Sequence, residues 1–257
     1  MSVLKRLGYL LGLPLLLIAI WYVLTIDSDS FFVVDPVTLA QTFVDTWVGE
    51  RFWNDVAPSL VRLAVGLFFA IGLGIGLGLL IGSFRWLRSM TEPVLEFLRA
   101  IPPPVLVPIL MILVGINDQM KVLVIISGSI WPVLLNTVEG VRSVDDVLLD
   151  TGRVYRITGW LRITRLVLPA ASPQIMAGIR QALSIGLILM VISEMFASSS
   201  GLGFTIVQFQ RAFAVPEMWS GVAVLGLIGL ALAFIFQFVE RRVLRWYHGL
   251  REVDHAG

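Results

Sequence analysis

The 257-residue sequence contains no cysteine, only two histidines, and charged residues make up just 14% of it. The missing thiols exclude disulfides, thiolate metal sites and cysteine nucleophiles together. His248 and His255 fall in a polar C-terminal stretch, so histidine-based metal centres and catalytic triads lack their material. The formal net charge is +1, far from the concentrated basic excess that neutralises phosphates, which argues against nucleic acid as a partner. A phosphate-cradling GxxxxGK[ST] loop needs a lysine in that context, and neither Lys5 nor Lys121 has one. What the chain has in quantity is apolar residues, 57%, with a mean hydropathy of +0.89. Soluble domains run to about 45–50% apolar and about 25% charged. Lipid is therefore the solvent for most of the chain.

A membrane-crossing helix takes about 20 residues, and six apolar runs of that order are present, at about 7–26, 60–83, 94–114, 122–138, 175–196 and 219–239. The pattern predicts a single all-α polytopic domain over 1–257, without room for a second soluble catalytic domain. Lys5 and Arg6 give the first run a signal-like start. Its apolar core exceeds the about 7–15 residues of a signal peptide, and no small-x-small cleavage site follows, so it reads as a retained helix. Between the first two runs lie six acids: Asp27, Asp29, Asp35, Asp45, Glu50 and Asp55. Apolar spacing from Val37 to Val48 there predicts an external, interfacial amphipathic helix of roughly three turns, with Trp47 and Trp53 at headgroup depth. Fifteen of the 19 basic residues fall on the side of the two termini, against Arg51, Arg62, Lys121 and Arg211 on the other. That asymmetry predicts both termini, and the polar stretch 139–170, in the cytoplasm.

Within the runs, Gly72/Gly76, Gly74/Gly78 and Gly78/Gly82 form small-xxx-small pairs that suit close helix packing. Pro102, Pro103 and Pro104 break the third run, as a simple kink or as a hinge lining a pathway. Polar groups inside the runs are few: Ser127, Ser129, Asn136 and Glu139, then Gln181, Ser184, Ser193 and Glu194. A carboxylate in a bilayer marks a pathway or gate by default; Glu139 reads as interfacial, and Glu194 as a gate or a capped interfacial acid. In the stretch 139–165, Leu148, Leu149, Val154, Tyr155 and Leu161 are apolar among charges. This pattern fits a short helix that docks into a groove on a soluble partner, or one that lies on anionic headgroups; periodicity does not separate the two.

At this stretch the sequence resembles the membrane subunits of bacterial ABC importers, specifically the nitrate/sulfonate/taurine-type permeases, whose cytoplasmic signature has the form EAA-x3-G-x11-LP. Leu168-Pro169 match the LP, with Trp160 and Arg165 before it and Pro169-Ala170-Ala171-Ser172-Pro173 after it. Similar pieces occur along nearly the whole chain: Ser59-Leu60-Val61-Arg62, Leu98-Arg99-Ala100-Ile101-Pro102, Asn136-Thr137, and Glu194 followed by Gly201-Leu202-Gly203. Counting back from the LP, Asp150-Thr151-Gly152 take the EAA positions and Arg156 takes the glycine. Gly152 weakens a helix that alanine would favour, Arg156 cannot freely take a left-handed conformation, and Gly159 is expected to supply the turn instead.

The resemblance implies a type I (MetI-like) importer permease fold in a bacterial inner membrane. It also implies a second copy of the chain, two cytoplasmic ABC ATPase subunits carrying ATP and Mg, and an extracytoplasmic solute-binding protein. No cofactor and no catalytic residue are expected in the chain itself. Asp150, Thr151, Gly152, Arg153, Arg156, Gly159, Leu168 and Pro169 would then couple it to the ATPase. Arg99, Ser129, Asn136, Ser184 and Met190 are the expected pathway residues, with Glu194 as gate. The transported solute would be a small organic anion or an aromatic or heterocyclic molecule. Readings of a different class are an autonomous channel or ion-coupled carrier, which would want midplane carboxylates, and a membrane anchor for a cytoplasmic enzyme.

Overall fold

Glycine spacing in the second apolar run sets the central contact of the bundle. In a computed structural model of the chain, helix α3 (Ala57–Ser83) lies along helix α6 (Asp118–Arg142). A Cβ added at Gly66, Gly74, Gly78 or Gly82 would come within 2.6, 2.8, 2.5 or 2.8 Å of Ile125, Val133, Thr137 or Val141. The offset in residue number is the same at all four contacts, so the two helices run parallel. Gly74/Gly78 and Gly78/Gly82 therefore pack as expected. The pair Gly72/Gly76 does not: both glycines face open space, because a stripe at i, i+4 and i+8 occupies one side of a helix and residues two positions away point elsewhere.

The structure describes residues 3–26, 28, 30–196 and 198–247, and side chains from residue 12 onward; His248, Arg251 and His255 lie outside it. Before α3 come α1 (Val3–Thr25) and α2 (Pro36–Trp47). After it come α4 (Arg85–Ala100), α5 (Leu106–Val114), α6, α7 (Asp146–Val154), α8 (Gly159–Arg162), α9 (Leu168–Phe196), α10 (Leu202–Arg211) and α11 (Val215–Val243), with no strand among the described residues. Four described helical stretches are long and apolar enough to cross a membrane: 52–83, 118–142, 159–196 and 215–243. Because α3 and α6 are parallel, the chain between them must return the full depth of the bundle, and the pair α4–α5 makes that return with a bend of 73°. The break falls where Pro103 rests on Gly128 of α6, well inside the span. Pro102–Pro104 thus divide a crossing segment at depth, and this pair is the fifth span; in α1 the described portion Gly12–Thr25 is apolar and helical.

α9 packs antiparallel on α6. Gly178 faces Pro132 and Asn136, Gly186 faces Ser129, and Leu189 faces Gly128. The main core lies between α3, α6 and α9 and includes Leu63, Leu67, Ile125, Val133, Leu189 and Met190. Two π-turns, Phe52–Val56 and Ile163–Val167, occur just before Pro58 and Pro169. Proline supplies no N–H and its ring displaces the carbonyl one turn back. The wide turn absorbs that displacement through Ala57 N–H donating to Phe52 O and Leu168 N–H donating to Ile163 O.

Helix α2 corrects one expectation. Trp53 is exposed, but Trp47 is buried and its Nε1 donates to Ser220 Oγ at 2.8 Å. An indole beside a hydroxyl on α11 gains both area burial and a partner for its N–H, and headgroup depth offers less of the first. Asp35 caps α2 by accepting from the amides of Val37 and Thr38. Hydrogen bonding from Thr38, side chain and then backbone, holds this carboxyl below the ordinary aspartate value. Its contribution is thus present above the unfolded pKa and lost as pH falls through the folded one. The protection of the Val37 and Thr38 amides, measured as exchange relative to the intrinsic rate at each pH, is expected to fall on acidification in the parent and to be independent of pH in Asp35→Asn.

Candidate functional site

Two groups of residues stand out at opposite ends of the bundle. The first gathers where α3, α6, α9 and α10 begin or end. Glu194, near the end of α9, is fully buried. It receives Arg62 Nη1 at 2.6 Å, the Ser59 hydroxyl at 2.7 and 2.8 Å, and the Gly203 amide at 3.0 Å. Arg62, 5% exposed, also donates through Nε to Asp118 Oδ1 at 2.8 Å and through Nη1 to the Ser200 carbonyl at 3.3 Å. Lys121 Nζ reaches the same Asp118 oxygen at 3.2 Å. Ser59 Oγ in turn accepts the Leu202 amide at 2.9 Å.

The four charges balance as two cations and two carboxylates, with Arg62, Lys121 and Glu194 buried and Asp118 exposed at the rim; such pairing is the condition under which burying the three is tolerable. Glu194 and Ser59 both hold the start of α10, so the cluster fixes that short helix to α3 and α9. Gly201 makes the approach possible: its φ is +117°, and a Cβ there would sit 2.5 Å from the Glu194 carboxyl carbon. The sequence singles out Glu194 but leaves Arg62 as an isolated charge at the start of a span. The available signal was that Arg62, Lys121 and Glu194 lie at the same end of three neighbouring spans.

The second group is the stretch after α6. Asp145 caps α7 by accepting the amides of Val147 and Leu148 at 2.7 and 3.1 Å. At the other end, Ile157 N–H donates to Gly152 O and Arg156 N–H to Arg153 O. This pair of bonds is the Schellman arrangement, which places one residue in the left-handed region. That residue is Arg156, with φ +55°, and Gly159 follows with φ +57°. The expectation that Gly159 would replace Arg156 at the turn is therefore corrected: both positions are left-handed, and the hydrogen-bonded cap holds the arginine there. Arg156→Gly is expected to stabilise the chain by about 1 kcal/mol, since glycine meets no Cβ penalty at this φ; the gain would be read as a higher thermal midpoint in detergent.

Gly152 also has a packing reason. A Cβ there would lie 2.6 Å from Leu166 Cδ1, so the weaker helix former lets α7 seat on the π-turn that precedes Leu168-Pro169. Asp150 pairs with Arg153 at 2.6 Å on the exposed side, and Thr151 donates to Val147 O. Val147, Leu148, Val154, Tyr155, Trp160 and Leu161 are all exposed. The capped α7 thus presents apolar side chains away from the spans.

The remaining expected site residues are not gathered into one place. Ser129 and Met190 are fully buried in the core of the chain, and Ser129 Oγ has no hydrogen-bond partner. Asn136 donates to Pro132 O and accepts from Gln174. Ser184 lines a cleft between α9 and α11. Arg99 pairs with Glu96 at the exposed end of α4. No cluster of metal-ligating side chains occurs among the described residues.

A polytopic helical bundle with a divided span, a buried charge cluster at one end and a capped apolar helix at the opposite end is the architecture of a membrane transport subunit. Residues 70–248 match the family described as binding-protein-dependent transport system inner membrane component, and the chain belongs to that family. It is the permease subunit of an ABC importer. It is 31% identical over 247 residues to a putative aliphatic sulfonates transport permease of Bacillus subtilis, covering 94% of this chain and 89% of that one. It is 34% identical over 195 residues to a bicarbonate transport permease of Synechococcus elongatus, covering 76% and 70%. It is 29% identical over 245 residues to the Escherichia coli taurine transport permease, covering 91% and 88%. In fold it is similar to the inward-facing MetNI methionine ABC transporter, with a TM-score of 0.65 at 18% identity over 75% of this chain and 97% of that one.

Proposed function

We propose that two copies of this chain form the pathway of an importer for a small anionic or zwitterionic solute, driven by two ATPase subunits docked on α7 and α8. Relatives whose names specify sulfonates, taurine and bicarbonate support a small anionic or zwitterionic solute. An extracytoplasmic binding protein delivers it to the face that carries α2 and α10, and both chain termini lie in the cytoplasm. The observation that carries the reading is the capped α7, with Val147 and Val154 73% and 81% exposed. An exposed apolar row on a rigid short helix suits a groove in a protein partner.

Movement of the ATPases would reach the bundle through the contact of Gly152 with Leu166 and the continuous helix that follows. Asp150, Thr151, Arg153 and Arg156 would transmit it, and Leu168-Pro169 would mark where it enters α9. Proteoliposomes holding the permease, its ATPase and its binding protein test this. A Val154→Asp, Tyr155→Asp chain is expected to insert normally and to lose ATP-driven uptake at least about tenfold, the scale of losing an interface anchor. Unchanged uptake would remove α7 as the docking element. A thermal-shift screen of the binding protein against sulfonates, bicarbonate, nitrate and aromatic acids would identify the solute.

A further inference from the structure

One side of α9 is left bare by the rest of the described chain. Ala171, Ile175, Gly178, Ala182, Gly186 and Leu189 are buried on the side that packs on α6. On another side Gln174, Gln181, Ser184, Ile188 and Met195 are all exposed and recur at helical spacing. Gln181 is the residue that lipid contact does not explain. Its amide has no hydrogen-bond partner among the described residues, and it lies deep. Between Lys121 and Glu139 α6 carries no charge, a length of about 27 Å at 1.5 Å per residue, close to the about 30 Å of a hydrocarbon core. A Cβ at Gly178 would lie 3.1 Å from the Val133 Cα, and Val133 is about 9 Å inside Glu139 on the same scale. Gln181 is nearly one turn further from that end. An amide without a partner is costly in hydrocarbon, so acyl chains do not cover this face.

The divided span calls for water at depth independently. Pro103, which rests on Gly128 beside Leu189 of α9, has no N–H for the Arg99 carbonyl one turn back, and Pro104 has none for that of Ala100. Arg99, Ala100 and Pro104 are exposed. Backbone of this kind is tolerated at membrane depth where it lines a water-filled cavity. We propose that the bare face of α9 lines the solute passage and that Gln181, absent from the expected pathway residues, is a specificity-determining contact there, donating its amide N–H to an oxyanion of the solute. A neutral amide supplies two donors and holds an oxyanion less tightly than a guanidinium would, which suits a solute that must leave again. Arg180, the neighbouring cation, is held by Glu240. The proposal rests on the importer reading above and adds a residue to it.

Single cysteines in place of Gln181 and Leu73 test the passage, in full chains reconstituted in liposomes with a membrane-impermeant thiosulfonate on both sides of the bilayer; the chain has no native cysteine. Leu73 is exposed too, and its neighbour Gly74 packs on Val133, so the two positions share a depth. Gln181→Cys is expected to react at least about tenfold faster than Leu73→Cys, since the reacting species is the thiolate and lipid disfavours charge. Equal rates overturn the proposal, whether lipid or a second copy covers the residue. Uptake by the assembled importer tests the contact, with taurine and ethanesulfonate as solutes that differ in one ammonium group. Gln181→Glu keeps the shape of the side chain, repels the sulfonate and attracts the ammonium, so the ratio of taurine to ethanesulfonate uptake should rise about tenfold. An unchanged ratio removes Gln181 from the solute contact. Labelling needs no partner subunit, so fast labelling of Gln181→Cys without ATP-driven uptake by the parent would count against the importer reading and for the passage.

Discussion

Glu194→Ala is expected to destabilise the solubilised chain by about 3 kcal/mol, the low end of what removing one partner of a buried ion pair costs. The low end applies because Asp118 still faces Arg62, so the guanidinium is not wholly abandoned. The loss would be larger than the salt bridge alone suggests. The hydroxyl of Ser59 and the amide of Gly203 also lose their acceptor, and the start of α10 loses an anchor. A double variant, Arg62→Met with Glu194→Met, should recover most of the loss, because a buried pair replaced by apolar groups of similar volume is often near neutral. Thermal denaturation in detergent reads both. If the double variant is as damaged as the sum of its parts, the two side chains are not coupled and the cluster is not the anchor described here.

Gly178→Val should be comparably severe for a different reason. A Cβ at Gly178 would lie 2.6 Å from Pro132 O and 3.1 Å from the Val133 Cα. These are backbone atoms that cannot rotate aside, so α6 and α9 must separate. Overpacking typically costs about 1–3 kcal/mol, occasionally more, and the upper end is expected where two helices must part along their length. Gly76→Val, in open space on α3, serves as the control and should leave the midpoint nearly unchanged. Equal effects of the two valines would mean that the contact between α6 and α9 is not close in the membrane.

The spans, and the class of protein they belong to, were legible because the bilayer imposes length and composition on every crossing helix. The parallel course of α3 and α6 was legible in the order of the runs, since a crossing run at about 94–114 lies between them; that the returning segment begins at Arg85 and bends by 73° was not, because the charges of α4 hide it from a search for apolar runs. Gly74, Gly78 and Gly82 were readable as a packing stripe, but which of the alternating glycines formed it depends on helix phase relative to a partner that sequence does not display. Trp47 was misplaced because a tryptophan beside a membrane has two favourable destinations, and the choice rests on Ser220, 173 residues away. Arg156 was misread for a local reason. Backbone preference disfavours arginine in the left-handed region, while the two cap bonds to Gly152 and Arg153 override it. The buried acid of the charge cluster was visible, and its partners were not, because sequence separation hides which span ends are neighbours.

The π-turn at Ile163–Val167 sets a rotational phase. One residue of α-helix corresponds to about 100° of rotation, and the extra residue of the wide turn introduces that much offset between the segment carrying Trp160 and Leu161 and the segment carrying Gly178 and Gly186. The side of the helix that carries the exposed Trp160 and Leu161 is thereby set separately from the side that packs against α6. Deleting one residue within 163–167 would turn the first segment by about a third of a revolution while the second stayed in register, so the azimuth of the exposed apolar surface is a quantity that this single turn encodes.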